Sequence, residues 1–182
     1  TLSVGSIRIG ENNGSTLVTA IVDRASGREV KVTLVKRTSG TAVENTDYVL
    51  GNTIVIPVGS TASFITLAAL DDEINEFDET VVIDINTVEN GTESGGENGQ
   101  QQTVTIVEDD LKPSVTLSVG SLNINESAPG NNTTVTATLS AVSGLPVTMN
   151  LAKSGAAKET LDYTLGNTIT IPAGGLSNFI IL

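Results

Sequence analysis

Hydrophobic and polar residues alternate with a period of two along much of the chain. The clearest cases are VKVTL at residues 30–34, VVIDI at 81–85 and TVTIV at 103–107. Because successive side chains of a β-strand point to opposite faces, this pattern predicts half-buried strands. No segment sustains the period of 3.6 residues that an amphipathic helix requires. The pattern therefore predicts an all-β protein.

Turn-forming residues separate the predicted strands. They occur as ASGR at residues 25–28, as Pro57 followed by Gly59, and as NGTESGGENG at residues 90–99. Gly, Pro, Asn and Ser favour tight turns because each makes a turn conformation of the backbone less costly. About seven short strands in roughly 110 residues, without helices, are typical of a two-sheet sandwich with Greek-key-like connections.

The sequence repeats itself once. LSVGS occurs at residues 2–6 and again at 117–121, and LGNTI occurs at 50–54 and again at 165–169. The matching segments keep an offset near 115 residues, with small insertions in the loops between them. A repeat of this length predicts two copies of one fold in tandem.

The repeat sets the expected domain boundaries. The first domain is expected at residues 1–110, a short linker, LKPS, at 111–114, and the N-terminal part of a second, truncated domain at 115–182. Counterparts of residues 68–110 do not occur in the second copy. We expect the strands that it lacks to come from a continuation of the protein or from a neighbouring chain, as in a longer tandem array or a filament.

The composition limits the chemistry. Of the 182 residues 38% are hydrophobic but only 3% are aromatic, so the core must consist mainly of Val, Ile and Leu. The absence of Cys and His excludes thiolate and imidazole metal ligands and Ser-His or Cys-His nucleophile pairs. We therefore expect no enzymatic activity.

The net charge points to a class of partner. Twenty-one acidic against nine basic residues give a charge of −12, which repels nucleic acid phosphates and anionic lipids. No stretch approaches the roughly 20 apolar residues of a membrane-spanning helix. These observations argue against nucleic acid binding and membrane insertion, and they favour a divalent cation.

Two pairs of aromatic residues occupy equivalent positions in the copies. Phe64 and Phe179 are expected in the core, because both lie in predicted strands. Tyr48 and Tyr163 are expected to pack at an edge of their sandwiches, as the tyrosine corner of immunoglobulin-like domains does.

Carboxylates cluster in two predicted loops, DDEINEFDE at residues 71–79 and EDD at 108–110. Carboxylate oxygens are the ligands that calcium prefers. The first cluster lacks the alternating ligands and central glycine of an EF-hand loop. From spacing alone, solvated turns on an acidic surface explain the clusters equally well.

Strand topology favours a shared site. The chain runs along one strand from Glu79, turns at the glycine-rich hairpin, and returns along the next strand to Asp109. Loops of a sandwich gather at its two ends, so Asp109 is expected at the same end as Asp72.

These motifs together resemble the Calx-beta family, first named from regulatory segments of sodium/calcium exchangers. The matching segments, which cover essentially the whole chain, are I-x-E at 9–11, DY at 47–48, IVIP at 54–57, DDEINEFDET at 71–80 and TVTIVEDD at 103–110. The resemblance implies tandem immunoglobulin-like two-sheet sandwiches, with calcium bound at the end next to the linker. The calcium ligands that it implies are Glu11, Asp47, Asp71, Asp72, Glu76, Glu79, Glu108, Asp109 and Asp110.

The resulting expectation is a calcium-binding structural or adhesive repeat of a bacterial cell-surface or secreted protein, which calcium stiffens at its interdomain end. The expected partners are calcium ions, neighbouring repeats or other copies of the chain, and a cell-surface ligand. Two alternatives stay open, namely a subunit of an extracellular filament with strand exchange between chains, and a cytosolic calcium-sensing module of a transporter.

Overall fold

The chain is all-β. The computed structural model describes residues 1–96, 99–125 and 130–182, and no helix, and so no helix that could span a membrane, occurs in these ranges. The chain divides into two compact units. The first comprises Thr1–Glu73 and Phe77–Asp109, and the second comprises Ile74–Glu76 and Asp110–Leu182.

The first unit contains nine strands in the part of it that the structure describes. They are β1 (Leu2–Val4), β2 (Arg8–Gly10), β3 (Ser15–Ile21), β4 (Val30–Lys36), β5 (Tyr48–Leu50), β6 (Thr53–Ile56), β7 (Ala62–Ala69), β8 (Glu79–Glu89) and β9 (Gln102–Val107). One sheet has the strand order β1-β3-β7-β5 and the other the order β2-β9-β8-β4-β6. Neighbouring strands are antiparallel, except that β2 runs parallel to β9.

The second unit contains five strands within the described residues. They are β10 (Val115–Val119), β11 (Thr134–Leu139), β12 (Val147–Asn150), β13 (Thr168–Ile171) and β14 (Ser177–Ile181). One sheet has the order β10-β11-β14, and β12 pairs with β13 in the other.

The strand pairing confirms the tandem arrangement that the sequence repeat predicts. In the first unit Leu2 lies opposite Ala20, and in the second Leu117 lies opposite Ala137. The pairing of β12 with β13 likewise repeats the register of β4 with β6. Hence β10-β11-β14 corresponds to β1-β3-β7, and β12-β13 corresponds to β4-β6.

The core of each unit consists of alternate residues of its strands. In the first unit both sheets contribute, and the side chains of Val18, Ile54, Leu67, Ile83 and Val104 are fully buried. The core of the second unit is smaller. Its buried hydrophobic residues are Val135, Ala137, Leu139, Ile169 and Ile171.

The prediction that Phe64 and Phe179 lie in the core is wrong. Phe64 is 58% exposed and Phe179 is 53% exposed. Both lie on the outward face of their strands, opposite Thr19 of β3 and Thr136 of β11 respectively. In β7 the side chains that face inward are instead those of the odd-numbered residues Ile65, Leu67 and Ala69. Successive side chains of a strand point to opposite faces, so Phe64 faces outward.

Tyr48 supplies a pH-dependent contribution to the stability of the first unit. Burial raises the pKa of its hydroxyl above the ordinary value, and the carboxylates of Glu44 and Asp47 raise it further. Because the pKa is higher in the folded than in the unfolded state, this contribution is fully present below about pH 10 and is lost as the pH rises through the folded pKa.

Replacing Tyr48 by phenylalanine should therefore remove the part of the alkaline destabilisation that this ionisation causes. Urea unfolding midpoints should fall less between about pH 9 and about pH 11 in Tyr48→Phe than in the parent chain. Tyr163→Phe, at the equivalent position of the second unit, is the matched control. An equal alkaline loss in Tyr48→Phe and the parent would contradict the assignment.

Candidate metal centre

The parallel pairing of β2 with β9 brings two acidic segments together. Gly10 at the end of β2 lies opposite Val107 at the end of β9. The backbone N–H of Glu11 then donates to the carbonyl of Val107 at 2.9 Å, which extends the pairing by one residue. Glu11 and Glu108 consequently leave the sheet side by side.

Three carboxylates meet at this point, those of Glu11, Glu108 and Asp110. One oxygen from each can be chosen so that all three lie within 4.8 Å of one another, and all three residues are half-buried. Asp110 follows Glu108 by two residues, so the chain itself holds it near the end of β9.

The spacing and chemistry of this group fit a calcium ion. Calcium binds carboxylate oxygens at about 2.3 to 2.6 Å, so two oxygens on one ion are separated by at most about 5 Å. In addition, the Oδ2 atom of Asp110 is shielded from solvent. Three partly desolvated like charges at this separation repel one another, and a divalent cation would offset that repulsion.

Asp78 connects strand β2 with the residue that follows β9. Its Oδ2 atom accepts a hydrogen bond from the guanidinium of Arg8 on β2 at 2.9 Å, and its Oδ1 atom accepts one from the backbone N–H of Glu108 at 3.2 Å. Sequence reasoning did not assign this positioning role, since it depends on the parallel neighbourhood of β2 and β9. The acidic stretch at 71–79 was the only signal available for it.

Asn75 makes a comparable contact with Asp110. The side-chain amide of Asn75 donates to the carbonyl oxygen of Asp110 at 3.3 Å, and the Asn75 side chain is buried. Both residues belong to the second compact unit. The contact restrains the backbone at Asp110, which carries the third carboxylate of the group.

Asp47 has a structural task. Its Oδ2 atom accepts a hydrogen bond from the backbone N–H of Val43, which closes the turn before β5. Asp162 repeats this contact in the second unit with the N–H of Lys158 at 2.7 Å. Asp47 does not belong to the three-carboxylate group. Closure of the same turn in both units gives this residue type a role that needs no metal.

Five other ligand candidates also lie outside the three-carboxylate group. Three of them, Asp71, Asp72 and Asp109, are exposed, and the other two, Glu76 and Glu79, are half-buried. Glu79 opens β8 opposite Ile106, close in register to the end of β9. The structure thus brings together Glu11, Glu108 and Asp110 of the nine candidates.

No protein-family model and no curated protein sequence matches the chain. Solved structures do resemble it. The crystal structure of the calcium binding domain CBD12 of CALX1.1 superimposes with a TM-score of 0.51 at 18% identity, covering 100% of this chain and 74% of that one.

Two further crystal structures are similar to the chain. CBD12 from CALX1.2 gives a TM-score of 0.49 at 20% identity over 96% of this chain and 70% of that one. The apo-form Calx CBD1 domain gives 0.48 at 24% identity over 57% of this chain and 89% of that one. At these identities the likeness to CBD12 of CALX1.1 concerns the fold, which is the all-β tandem sandwich that the sequence predicted.

Proposed function

We propose that this chain is a Calx-beta-like, calcium-binding structural or adhesive repeat of a cell-surface or secreted protein. The observation that carries the proposal is the group formed by Glu11, Glu108 and Asp110, whose oxygens lie within 4.8 Å of one another. The group has the ligand type and the spacing of a calcium site.

The same group suggests how calcium would act. Glu11 and Glu108 are held in place because they directly follow β2 and β9. Asp110 directly follows Phe77–Asp109, the second of the two segments that make up the first unit. A cation bound to all three would hold the chain at Asp110 against two strand ends. Calcium would thereby restrict the direction in which the chain leaves the first sandwich.

The composition and the tandem repeat of the chain support a role outside the cell. The chain has a net charge of −12, carries no cysteine, and repeats one sandwich in tandem. Acidic tandem modules suit a bacterial spacer that holds a distal binding element away from a cell, where millimolar calcium is available. The composition also lacks the His and Cys side chains on which many hydrolases depend, so we propose no catalytic role.

A filament subunit is a second candidate. In the described residues β12 pairs with β13 alone, so that one of its edges is open to another strand. Strand exchange between chains could use such an edge. The cytosolic calcium-sensing alternative rests on the family resemblance alone.

Calcium should bind the full chain and raise its melting temperature. At a hundredfold excess over the dissociation constant, linkage predicts about 2.7 kcal/mol of stabilisation. Isothermal calorimetry and thermal unfolding, both after treatment with EDTA, measure the two quantities. Glu108→Gln and Asp110→Asn should each weaken binding by at least about tenfold, because each removes a charged ligand.

The matched control is Asp23→Asn, which also removes one carboxylate. Asp23 is exposed, follows the far end of β3 and pairs with Arg24. The Asp23→Asn substitution should leave calcium binding unchanged. Absence of both a binding heat and a thermal shift at millimolar calcium would contradict the proposed site. Equal weakening of calcium binding by all three variants would mean that the overall negative charge of the chain, and not this group, attracts the ion.

A further inference from the structure

A lysine of the first unit is enclosed by three acceptors. Lys36, at the end of β4, donates from its Nζ atom to Oε1 of Glu44 at 2.6 Å, to the carbonyl oxygen of Leu50 at 3.1 Å and to Oδ1 of Asn52. The Lys36 side chain is only 16% exposed. Protein atoms therefore satisfy all three donors of the ammonium group.

The second unit repeats this cluster. Lys153 donates to Oε1 of Glu159, to the carbonyl oxygen of Leu165 at 2.7 Å and to Oδ1 of Asn167 at 2.7 Å, and its side chain is 15% exposed. In both units the asparagine belongs to the repeated LGNTI segment. The lysine precedes the asparagine by 16 residues in the first unit and by 14 in the second, so the cluster is kept although the intervening loop differs in length.

The backbone fixes the asparagine beside the segment that carries the lysine. The carbonyl oxygen of Asn52 accepts from the N–H of Leu34 at 2.8 Å, and that of Asn167 accepts from the N–H of Leu151 at 2.8 Å. Each of these leucines precedes the lysine of its cluster by two residues. The amine and the carboxamide are thus held together by main-chain as well as side-chain contacts.

A turn with unusual backbone geometry follows the glutamate of each cluster. Asn45 has a φ of 68° and Thr160 a φ of 72°. A β-branched residue such as threonine rarely adopts this left-handed conformation, which costs about 1 to 3 kcal/mol. Such strain persists where the surrounding structure demands it, and it is common at functional sites.

Each cluster contains the three groups that a transamidation requires, namely an amine, a carboxamide and a carboxylate that can carry protons. Nζ of Lys153 lies 2.7 Å from Oδ1 of Asn167, and a C=O bond is about 1.2 Å long, so Nζ lies within about 4 Å of Cγ. Groups held this close react far faster than free groups, because little entropy remains to be lost. The asparagine side chains are exposed, which gives the leaving nitrogen a path to solvent.

We propose that the lysine and the asparagine of each cluster form an intramolecular isopeptide bond, Lys36 with Asn52 and Lys153 with Asn167. The glutamate carboxylate takes a proton from the ammonium group, and the resulting amine attacks Cγ of the asparagine. The Nζ–Cγ bond forms and the Cγ–Nδ2 bond breaks. Nζ gives up two protons in all, and these convert the leaving Nδ2 group into an ammonium ion.

The bond strengthens the connection between the sheets of the first unit. Asn52 lies between β5 of one sheet and β6 of the other, and Lys36 ends β4, the neighbour of β6. The bond therefore fastens the segment that crosses between the sheets to a strand inside one of them. The chain has no cysteine, so a disulfide cannot supply such a link.

The test is the intact mass of the full chain, measured after denaturation and in EDTA, so that calcium binding has no influence on the result. We expect a mass below the calculated one by two ammonia molecules. Tandem mass spectrometry of a digest should find each lysine joined to the asparagine of its cluster. Asn52→Ala and Asn167→Ala should each abolish one of the two losses. A chain with the full calculated mass would overturn the proposal.

The glutamates test the mechanism. Glu44→Gln and Glu159→Gln keep the size of the side chain but cannot carry a proton, so each should abolish the ammonia loss of its own unit. The matched control is Glu89→Gln, which removes the partner of Lys31 in an exposed ion pair and should leave both losses in place. Ammonia losses that persist in Glu44→Gln and Glu159→Gln would contradict the proposed proton transfer.

A second source of ammonia loss is distinguished by the same variants. The Asn-Gly pairs at residues 13–14 and 90–91 can lose ammonia by closing to cyclic imides. Losses that Asn52→Ala and Asn167→Ala leave unchanged would arise at such pairs and would overturn the proposal.

Discussion

Replacing Arg37 by methionine should lower the free energy of unfolding of the first unit by about 2 to 3 kcal/mol. The Asp84 carboxylate is fully buried, and one of its oxygens accepts from the Arg37 guanidinium at 2.8 Å while the other accepts from the N–H of Ile85 at 2.9 Å. Methionine keeps most of the apolar stem of Arg37 but leaves a buried charge beside it. Because the Arg37 side chain is 34% exposed, water reaches the guanidinium and the loss stays near the lower end of the range for buried pairs.

The control for this prediction is Lys31→Met in strand β4. Lys31 pairs with Glu89 at 3.6 Å, and both side chains are largely exposed. Removing that pair should change stability by less than about 1 kcal/mol. The double variant with Arg37→Met and Asp84→Asn should recover part of the loss, since it removes the buried charge. Urea unfolding measures all three, and equal losses for Arg37→Met and Lys31→Met would contradict the buried ion pair.

This ion pair is also a feature that sequence patterns could not predict. Alternation in β8 is interrupted by five successive buried residues, Val81 to Ile85, so the outward face is covered as well. The segment after β4 runs along this part of β8: the Arg37 N–H donates to the carbonyl of Val82 at 2.8 Å, the Thr41 N–H donates to that of Thr80 at 2.9 Å, and the Arg37 side chain contacts Asp84. Burial of an acidic residue depends on this long-range contact.

The fold itself was predictable because its signals are local or repeated. Period-two alternation marks strands such as β4 and β9, and the second copy of LSVGS and LGNTI fixes the tandem arrangement. Where two successive residues are both apolar, as at Phe64 and Ile65, the alternation does not tell which of the two side chains faces the core. There the aromatic side chain lies outside and the aliphatic one faces inward.

The candidate site was predictable in part. Glu11 and the EDD segment were recognised from family-like motifs, and the structure brings Glu11, Glu108 and Asp110 together. Neither the contact of Asp78 with Arg8 nor its contact with the N–H of Glu108 could be read from spacing. Both depend on the parallel alignment of strands that are almost a hundred residues apart in the sequence.

Leu2→Ala should cost far more stability than the equivalent change Leu117→Ala. Leu2 is 4% exposed in a core built from two complete sheets, so its truncation leaves a cavity and should cost about 3 kcal/mol. Leu117 is 48% exposed, so most of the methyl groups removed already contact water, and the cost should stay below about 1 kcal/mol. Urea unfolding followed by hydrogen exchange in β1 and β10 assigns each loss to its unit.

The same pair of substitutions distinguishes an open surface from a merely smaller core. Equal costs for the two substitutions in the 182-residue chain would mean that Leu117 is already enclosed.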